Sequence, residues 1–465
     1  METYDVVVIG AGSTGENVAG RVSGRGLTVA LVEQGLTGGE CTYFACMPSK
    51  ALLRPVHALD AARAVAGARE AVGALAVEAV FARRDRFADH WDDDDQAAWV
   101  ARSGATLVRG RARISGPREV TVEGPDADPQ ALRARRAVVV CTGTDPAVPD
   151  IPGLRDARPW TNRDATTASV VPESLVVIGG GPVACEMATA WKALGSDVTM
   201  VVREERPLAK MEPCAGDAVL GALRDRGVWV TTEANPAHVR RRPDGDVEVT
   251  LDGGVVLRAS EVLVATGRVP RTGDLGLESV GIEPGGWLDV DDHMCVRAVA
   301  GGWMFAAGDV THRALLTHMG KYEARVCADA ITSGASLRPG ATATADPDAV
   351  PQVVFTDPEV AAVGITERQA RERALRVQVL DYDLGDIAGA SLYADGYQGH
   401  ARMIVDQERN VVVGMTFVGA GVGEMLHAAT IAVVGEVPLD RLWHAVPAFP
   451  TMSEVWLRLL EAAGL

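Results

Sequence analysis

Hydrophobic and polar positions follow three regimes along the chain. Residues 5–33 read as an apolar strand (DVVVIG), a glycine turn, a stretch of helical spacing and a second apolar strand (TVALVE). Residues 174–202, SLVVIGGGPVACEMATAWKALGSDVTMVV, repeat that order, so two units of one kind are predicted. Between them, Ala-rich charged stretches at 56–103 have helical spacing, and short alternating segments at 105–140 predict a small antiparallel sheet. Beyond about 350, VPQVVFTDPEVAAVG and RMIVDQERNVVVGMTFVG alternate, and AGVGEMLHAATIAVVG is helical, which predicts an α+β domain with antiparallel strands. The turn-rich segments 141–153 (CTGTDPAVPDIPG) and 265–275 (ATGRVPRTGDL) mark crossings between domains, and 333–350, rich in Gly, Ala, Thr, Asp and Pro, is the expected linker.

At 465 residues the chain exceeds one ordinary core, so two to four domains are expected. No window approaches eighteen uncharged apolar residues, and the start enters a strand directly; a cytoplasmic protein with no membrane partner is expected. A net charge of −17 argues against nucleic acid and anionic membrane surfaces. The Asp run at 92–95 reads as solvated surface. Lysine occurs only at 50, 192, 210 and 321, so in this Arg-rich chain a lysine at a motif position carries more information than an arginine.

Each of the two units carries a glycine motif between its first strand and its helix. In GAGSTG, Gly10, Gly12 and Gly15 let the backbone approach a pyrophosphate and aim amide donors and the positive helix end at it. Glu33, 23 positions after Gly10, ends the next strand, where a carboxylate accepts hydrogen bonds from a ribose diol. Asp309, in GGWMFAAGDVT, is a second expected dinucleotide contact. The later unit has Gly179, Gly181 and Ala184, the variant with alanine at the helix-packing point. Its 23-residue step lands on Val202, with Arg203 beside it and Arg206 on the next turn. Arginine suits the 2′-phosphate of NADP, so NADPH is favoured, while Glu204 and Glu205 keep NADH open.

Seven cysteines at 41, 46, 141, 185, 214, 295 and 327 do not make the dense even framework of a secreted disulfide scaffold, but Cys41 and Cys46 stand out in GGECTYFACMPSK. Residues five apart in a regular helix have Cα atoms roughly 8 to 9 Å apart, so a bridge between them needs a distorted turn. A strained, accessible disulfide is easily reduced.

Taken together, GAGSTG, GGECTYFACMPSK, CTGTDPAVP, GGGPVACE, ATGRVPRT, AAGDVT with LLTHMGKYEA, and FPTMSE resemble, in order and over essentially all 465 residues, the class I pyridine nucleotide-disulfide oxidoreductases, the family of dihydrolipoamide dehydrogenase, glutathione reductase and mercuric reductase. The resemblance implies an α/β fold with two Rossmann-like domains, one for FAD (1–150 and 275–345) and one for NAD(P) (151–274), and a C-terminal α+β dimerisation domain (346–465). It implies a homodimer and a small-molecule electron acceptor. By position, Cys46 is the thiol nearer the flavin and Cys41 the exchange thiol. Lys50 is the lysine near the reactive flavin nitrogen, paired with Glu186. Gly143 and Gly267 are the motif glycines at the two crossings and join the cofactor-contacting set.

The resemblance breaks at the C-terminus. Disulfide reductases carry His-Pro-Thr there with Glu five residues after the His, and this chain has Phe449 at the His position while Glu454 is kept. Removing a positioned acid-base group costs about 10² to 10⁴ in rate, so ordinary dithiol exchange is expected to be impaired. His444, flanked by Trp443 and Val446, reads as packed rather than catalytic. The last cysteine is Cys327, so the C-terminal thiols used by mercuric reductase and by high-molecular-weight thioredoxin reductases are missing. The leading expectation is an FAD-dependent NAD(P)H oxidoreductase that passes electrons through Cys41 and Cys46 to a small disulfide or other electrophile. Three alternatives stay open: a flavin-direct quinone-type reductase, an enzyme like 2-oxopropyl-coenzyme M reductase/carboxylase (which shares the Phe but has His at the Glu454 position), and a flavin redox sensor without turnover.

Overall fold

Uninterrupted runs of β-branched residues suit strands buried on both faces. In the computed structural model, which describes residues 1–124, 128–333, 341–345 and 348–465, the run in Glu2–Ile9 lies parallel to Val29–Glu33 with Val7 opposite Ala30, and Val6, Val7 and Val8 are fully buried. These strands belong to a sheet ordered Thr106–Arg109, Val29–Glu33, Glu2–Ile9, Gln130–Val140, Glu119–Glu123 and Arg111–Gly116, with Met304–Ala306 also pairing along Gln130–Val140. The sheet lies within one compact unit formed by Met1–Pro48, Asp85–Asp145 and Arg268–Pro347. One core fills that unit, packed by the helices Ser13–Ser23 and Thr317–Ser333.

Within 105–140, Arg111–Gly116, Glu119–Glu123 and the start of Gln130–Val140 pair antiparallel as the alternation predicts, but they continue the larger sheet instead of forming one of their own. Thr106–Arg109 joins Val29–Glu33 in parallel, and Gln130–Val140 runs from an antiparallel arm into the parallel body, where Val138, Val139 and Val140 pair with Met304–Ala306 on one side and Glu2–Ile9 on the other. The reason is local: the end of that strand is a continuous AVVV run, which needs cover on both faces, whereas its start alternates. The expected linker at 333–350 falls partly on residues 334–340 and 346–347, outside the described residues.

The second unit comprises Ser49–Arg84, Pro146–Gly267 and Asp348–Leu465. It holds a parallel sheet ordered Trp229–Thr231, Asp197–Val201, Ser174–Ile178 and Glu261–Val264, with the helix Pro182–Ala193 buried along most of its length, and a three-stranded antiparallel ribbon from Pro236 to Ala259. Its C-terminal part is the antiparallel sheet Gln352–Val354, Glu359–Gly364, Val411–Gly419, His400–Asp406 and Val377–Asp383, with its own core under the helices Leu426–Val434 and Val455–Ala462. Among the described residues no helix is long and apolar enough to cross a membrane.

Candidate active site

The first glycine turn is built by close backbone approach. Gly10 has φ +99°, and a Cβ there would lie 2.4 Å from the Cys141 carbonyl oxygen; one on Gly15 would lie 1.9 Å from the Gly10 carbonyl oxygen. Gly12 is different, because a Cβ on it would meet nothing within 4 Å. It caps the helix Ser13–Ser23 with no side-chain hydrogen bond, so the first amides of that helix face an open cradle. Glu33 shapes this cradle from the end of its strand: Oε2 accepts from the Ala11 amide at 2.7 Å and Oε1 from the Gly35 amide at 2.8 Å. Free helix-end donors, room at Gly12 and a pinned carboxylate fit a dinucleotide with its pyrophosphate at the helix end and its ribose at Glu33.

The same turn places the cysteine motif. The Gly38 amide donates to the Ala11 carbonyl at 2.7 Å, and a Cβ on Gly39 would sit 2.7 Å from Gly12 Cα, so only a glycine pair lets the chain pass so near the cradle. Cys41 lies in the short helix Gly39–Tyr43, and Cys46 opens the helix Cys46–Arg63; the break falls at Phe44, with φ −135° and ψ 1°. This is the distorted turn that a bridge at this spacing requires. Both sulfurs are thiols here, each half-buried. The Cys46 Sγ lies 3.2 Å from the Thr317 hydroxyl. The Cys41 thiol is pushed well above its ordinary range, first by its hydrogen bond with Cys46, then by burial and by the Cys46 charge, while the Thr317 hydroxyl and the Lys321 ammonium oppose the shift.

Asp309 sits at the end of a turn held by buried Glu323, whose Oε2 accepts from the Gly308 amide at 2.7 Å. Burial raises the Asp309 carboxyl, against a hydrogen bond at 3.0 Å from the Thr144 hydroxyl and the nearby Arg268 and Arg271 charges. Arg271 reaches Glu40, beside Cys41, at 3.3 Å, donates to Asp145, and bonds the carbonyl of Gly143 through its amide. Thr144, Glu40, Arg268, Arg271, Thr317 and Lys321 lie inside the motifs quoted from the sequence but were given no site role there. Their linear signal is membership of those motifs, as with Glu40 directly before Cys41.

In the second unit, Gly179 has φ +137° with room for no Cβ beside the Ala265 carbonyl, Ala184 is buried, and Gly181 faces open space at the uncapped start of Pro182–Ala193. Gly267, φ +150°, follows the strand Glu261–Val264. Val202 is buried. Arg203 and Arg206 follow it, each held by acids: Arg203 lies 2.7 Å from Glu204, and Arg206 lies 2.8 Å from Glu205 and 3.0 Å from Asp217, the last angled away from a hydrogen bond. Lys50 Nζ lies 2.7 Å from Glu186 Oε2 and 4.9 Å from the centre of the Phe355 ring, while Glu186 Oε1 accepts from the Phe355 amide.

At the C-terminus, Phe449 is 74% exposed and follows a loop in which His444 and Val446 are exposed as well. His444 is therefore not packed within the protomer, because its neighbours Trp443, Ala445 and Val446 are themselves exposed and offer no core to pack into. Glu454 is buried, with Oε1 accepting from Arg458 at 2.6 Å.

Comparison with known proteins agrees with this layout. The model described as pyridine nucleotide-disulphide oxidoreductase matches residues 4–331, and the dimerisation domain of the same family matches 350–460. A mercuric reductase of Streptomyces lividans is 30% identical over 97% of this chain and 94% of its own length. A leghemoglobin reductase of Glycine max is 28% identical over 97% of this chain and 86% of its own. At the level of fold alone, the Cu(II) complex of the HOCl-induced flavoprotein disulfide reductase RclA from Escherichia coli superposes with a TM-score of 0.84 at 24% identity, covering 99% of this chain and 100% of that one. LpdA from Mycobacterium tuberculosis superposes with a TM-score of 0.84 at 23% identity over the full length of both chains. With two family models spanning most of its length, the chain belongs to the pyridine nucleotide-disulphide oxidoreductase family and is an FAD-dependent NAD(P)H oxidoreductase of the disulfide reductase type.

Proposed function

We propose that this enzyme passes two electrons from NADPH, through FAD and the Cys41–Cys46 pair, to a small disulfide or other electrophilic acceptor. One observation carries the reading: the two thiols face each other across a helix break built onto the first dinucleotide cradle, with Thr317 bonded to Cys46. Bound FAD and NAD(P)H supply hydride acceptance and two-electron delivery to the disulfide. The FAD-contacting set is Gly10, Gly12, Gly15, Glu33, Gly143 and Asp309. Gly179, Gly181, Gly267, Arg203 and Arg206 serve the nicotinamide nucleotide, with NADPH favoured by the two arginines. The proposed domains are 1–150 with 275–345, 151–274, and 346–465, the last forming a homodimer.

With a disulfide acceptor, the Cys41 thiolate attacks one acceptor sulfur, a new S–S bond forms and the first acceptor thiolate leaves. Cys46 then attacks the Cys41 sulfur, closes the internal disulfide and releases the second thiolate. The dithiol loses two electrons, the acceptor gains two, and water protonates the released thiolates. Phe449 has no proton to give, so acceptors with good leaving groups, or thiophilic metal ions that need no general acid, suit the site best. Mercuric reductases among the relatives and the Cu(II) bound by RclA put metal ions in the first acceptor panel, although the chain lacks C-terminal cysteines. Lys50 and Glu186 are proposed to place a cation by the reduced, anionic flavin ring.

A Cys41→Ser variant tests the route. Flavin reduction by NADPH should persist while acceptor turnover falls by at least about 10²; undiminished turnover would favour direct transfer from flavin to a quinone-type acceptor. Failure of both NADPH and NADH to reduce the flavin at a useful rate would favour a sensor. Phe449 also matches 2-oxopropyl-coenzyme M reductase/carboxylase, but Glu454, buried against Arg458, stands where that enzyme has His.

A further inference from the structure

Only four lysines occur in the chain. Lys50 is paired with Glu186 and Lys192 with Asp197. Lys321 lies one turn after Thr317 in the helix Thr317–Ser333, so the two side chains share a face. Thr317 touches Cys46 Sγ at 3.2 Å, and the exposed Lys321 ammonium acts through space on Cys41 and on Glu16, a largely buried acid in the first turn of Ser13–Ser23. The helix is pressed onto that first helix: a Cβ on Gly320 would fall 2.3 Å from Thr14 Oγ1, which fixes where Lys321 emerges.

The pair has an electrostatic difficulty. Neighbouring thiols do not both ionise readily, and once Cys46 is a thiolate it holds the Cys41 proton by hydrogen bond and by charge. Releasing that proton calls for a cation near Cys41, and the aromatic ring of Phe449 carries none. We propose that Lys321, one turn along the helix from Thr317, favours the thiolate form of Cys41 in the reduced enzyme by charge from inside the protomer. It is a positioning residue for charge and transfers no proton. Glu16, in the helix against which Gly320 is pressed, also feels the Lys321 ammonium. Cys41 thus feels Cys46, Thr317 and Lys321, Glu16 feels Lys321 and Glu33, and Glu40 lies 3.3 Å from Arg271.

This inference rests on the dithiol reading above, and one experiment separates the two. FAD-loaded enzyme is reduced anaerobically with NADPH, released thiols are counted, and the rate of Cys41 alkylation by iodoacetamide is followed against pH by peptide mass spectrometry. Lys321→Met should slow Cys41 alkylation at neutral pH about three- to tenfold and move the profile to higher pH, Lys321→Glu should slow it further, and Lys321→Arg should restore it to within about twofold. Because Lys321 is exposed, the difference should shrink as salt rises. Two released thiols with superimposable profiles for wild type and Lys321→Met would overturn the role of Lys321 alone. Absence of thiol release on NADPH reduction would overturn both readings.

Discussion

The ammonium of Lys50 lies 2.7 Å from a carboxylate oxygen of Glu186, a residue 136 positions later whose side chain is only 5% exposed. The other Glu186 oxygen accepts from the Phe355 amide at 3.0 Å, and the Phe355 ring sits beside the same ammonium. Three distant segments of one unit thus close on a single ion pair. Removing one partner of a buried pair leaves an uncompensated charge, which is far costlier than losing a surface pair. Lys50→Met is expected to destabilise the protein by about 2 to 4 kcal/mol, the lower end because Lys50 is partly solvated. Glu186→Gln, which keeps an acceptor for Phe355, should cost less. Denaturant melts of the two variants check the order, and equal losses would contradict it.

Phe449 is the position where chemistry can be added back. The side chain is 74% exposed in the protomer, so Phe449→His costs no core packing there. If the dithiol route operates, this variant should raise turnover with disulfide acceptors at least about tenfold and add a neutral-pH limb to the rate profile. Steady-state kinetics across pH read both; no gain with any disulfide would argue that thiol exchange is not the native route.

The nucleotide preference turns on whether two arginines can leave their acids. Arg203 is bound to Glu204, and Arg206 to Glu205 and Asp217, but these are surface pairs and weak competitors for a dianionic phosphate. Replacing both arginines by alanine should lower kcat/KM for NADPH about 10- to 100-fold and leave NADH within about threefold. Glu204→Gln should raise the NADPH value. Stopped-flow flavin reduction with each nucleotide measures the ratio.

Glu16 supplies a pH signature. Burial favours its neutral form and pushes it up from 4.5 to about 7, aided by the Glu33 charge and opposed by Lys321, and its Oε1 is buried without a hydrogen-bond partner. The folded protein therefore binds this proton more tightly than the unfolded chain. Its contribution to stability is fully present below the unfolded value and is lost as pH rises through about 7, a difference of about 3 kcal/mol. Glu16→Gln should flatten stability between about pH 5 and about pH 8, with the largest gain over wild type at the alkaline end. Thermal unfolding at both pH values tests the sign.

Much of this site is legible in linear order because its parts are backbone devices. A glycine turn, the carboxylate that ends the next strand and two cysteines at a helix break depend on residues close in sequence, where spacing and φ/ψ demands are local. The alternating segments at 105–140 read correctly as antiparallel strands but not as part of the larger sheet, because alternation reports one exposed face while the sheet a strand joins depends on partners such as Met304–Ala306. His444 shows the same limit, since apolar neighbours in sequence do not decide whether a segment is buried.

The sequence by itself determined the family, the two nucleotide units, the cysteine pair and the missing histidine, since each is carried by residue identity at fixed spacing. The Lys50–Glu186 pairing was implied by the resemblance, but only the tertiary structure decided the other meetings: Thr317 against Cys46, Lys321 one turn further along the same helix, Arg271 reaching Glu40. Electrostatic interaction falls with distance through space and depends on burial, and neither quantity is written in the order of residues along the chain.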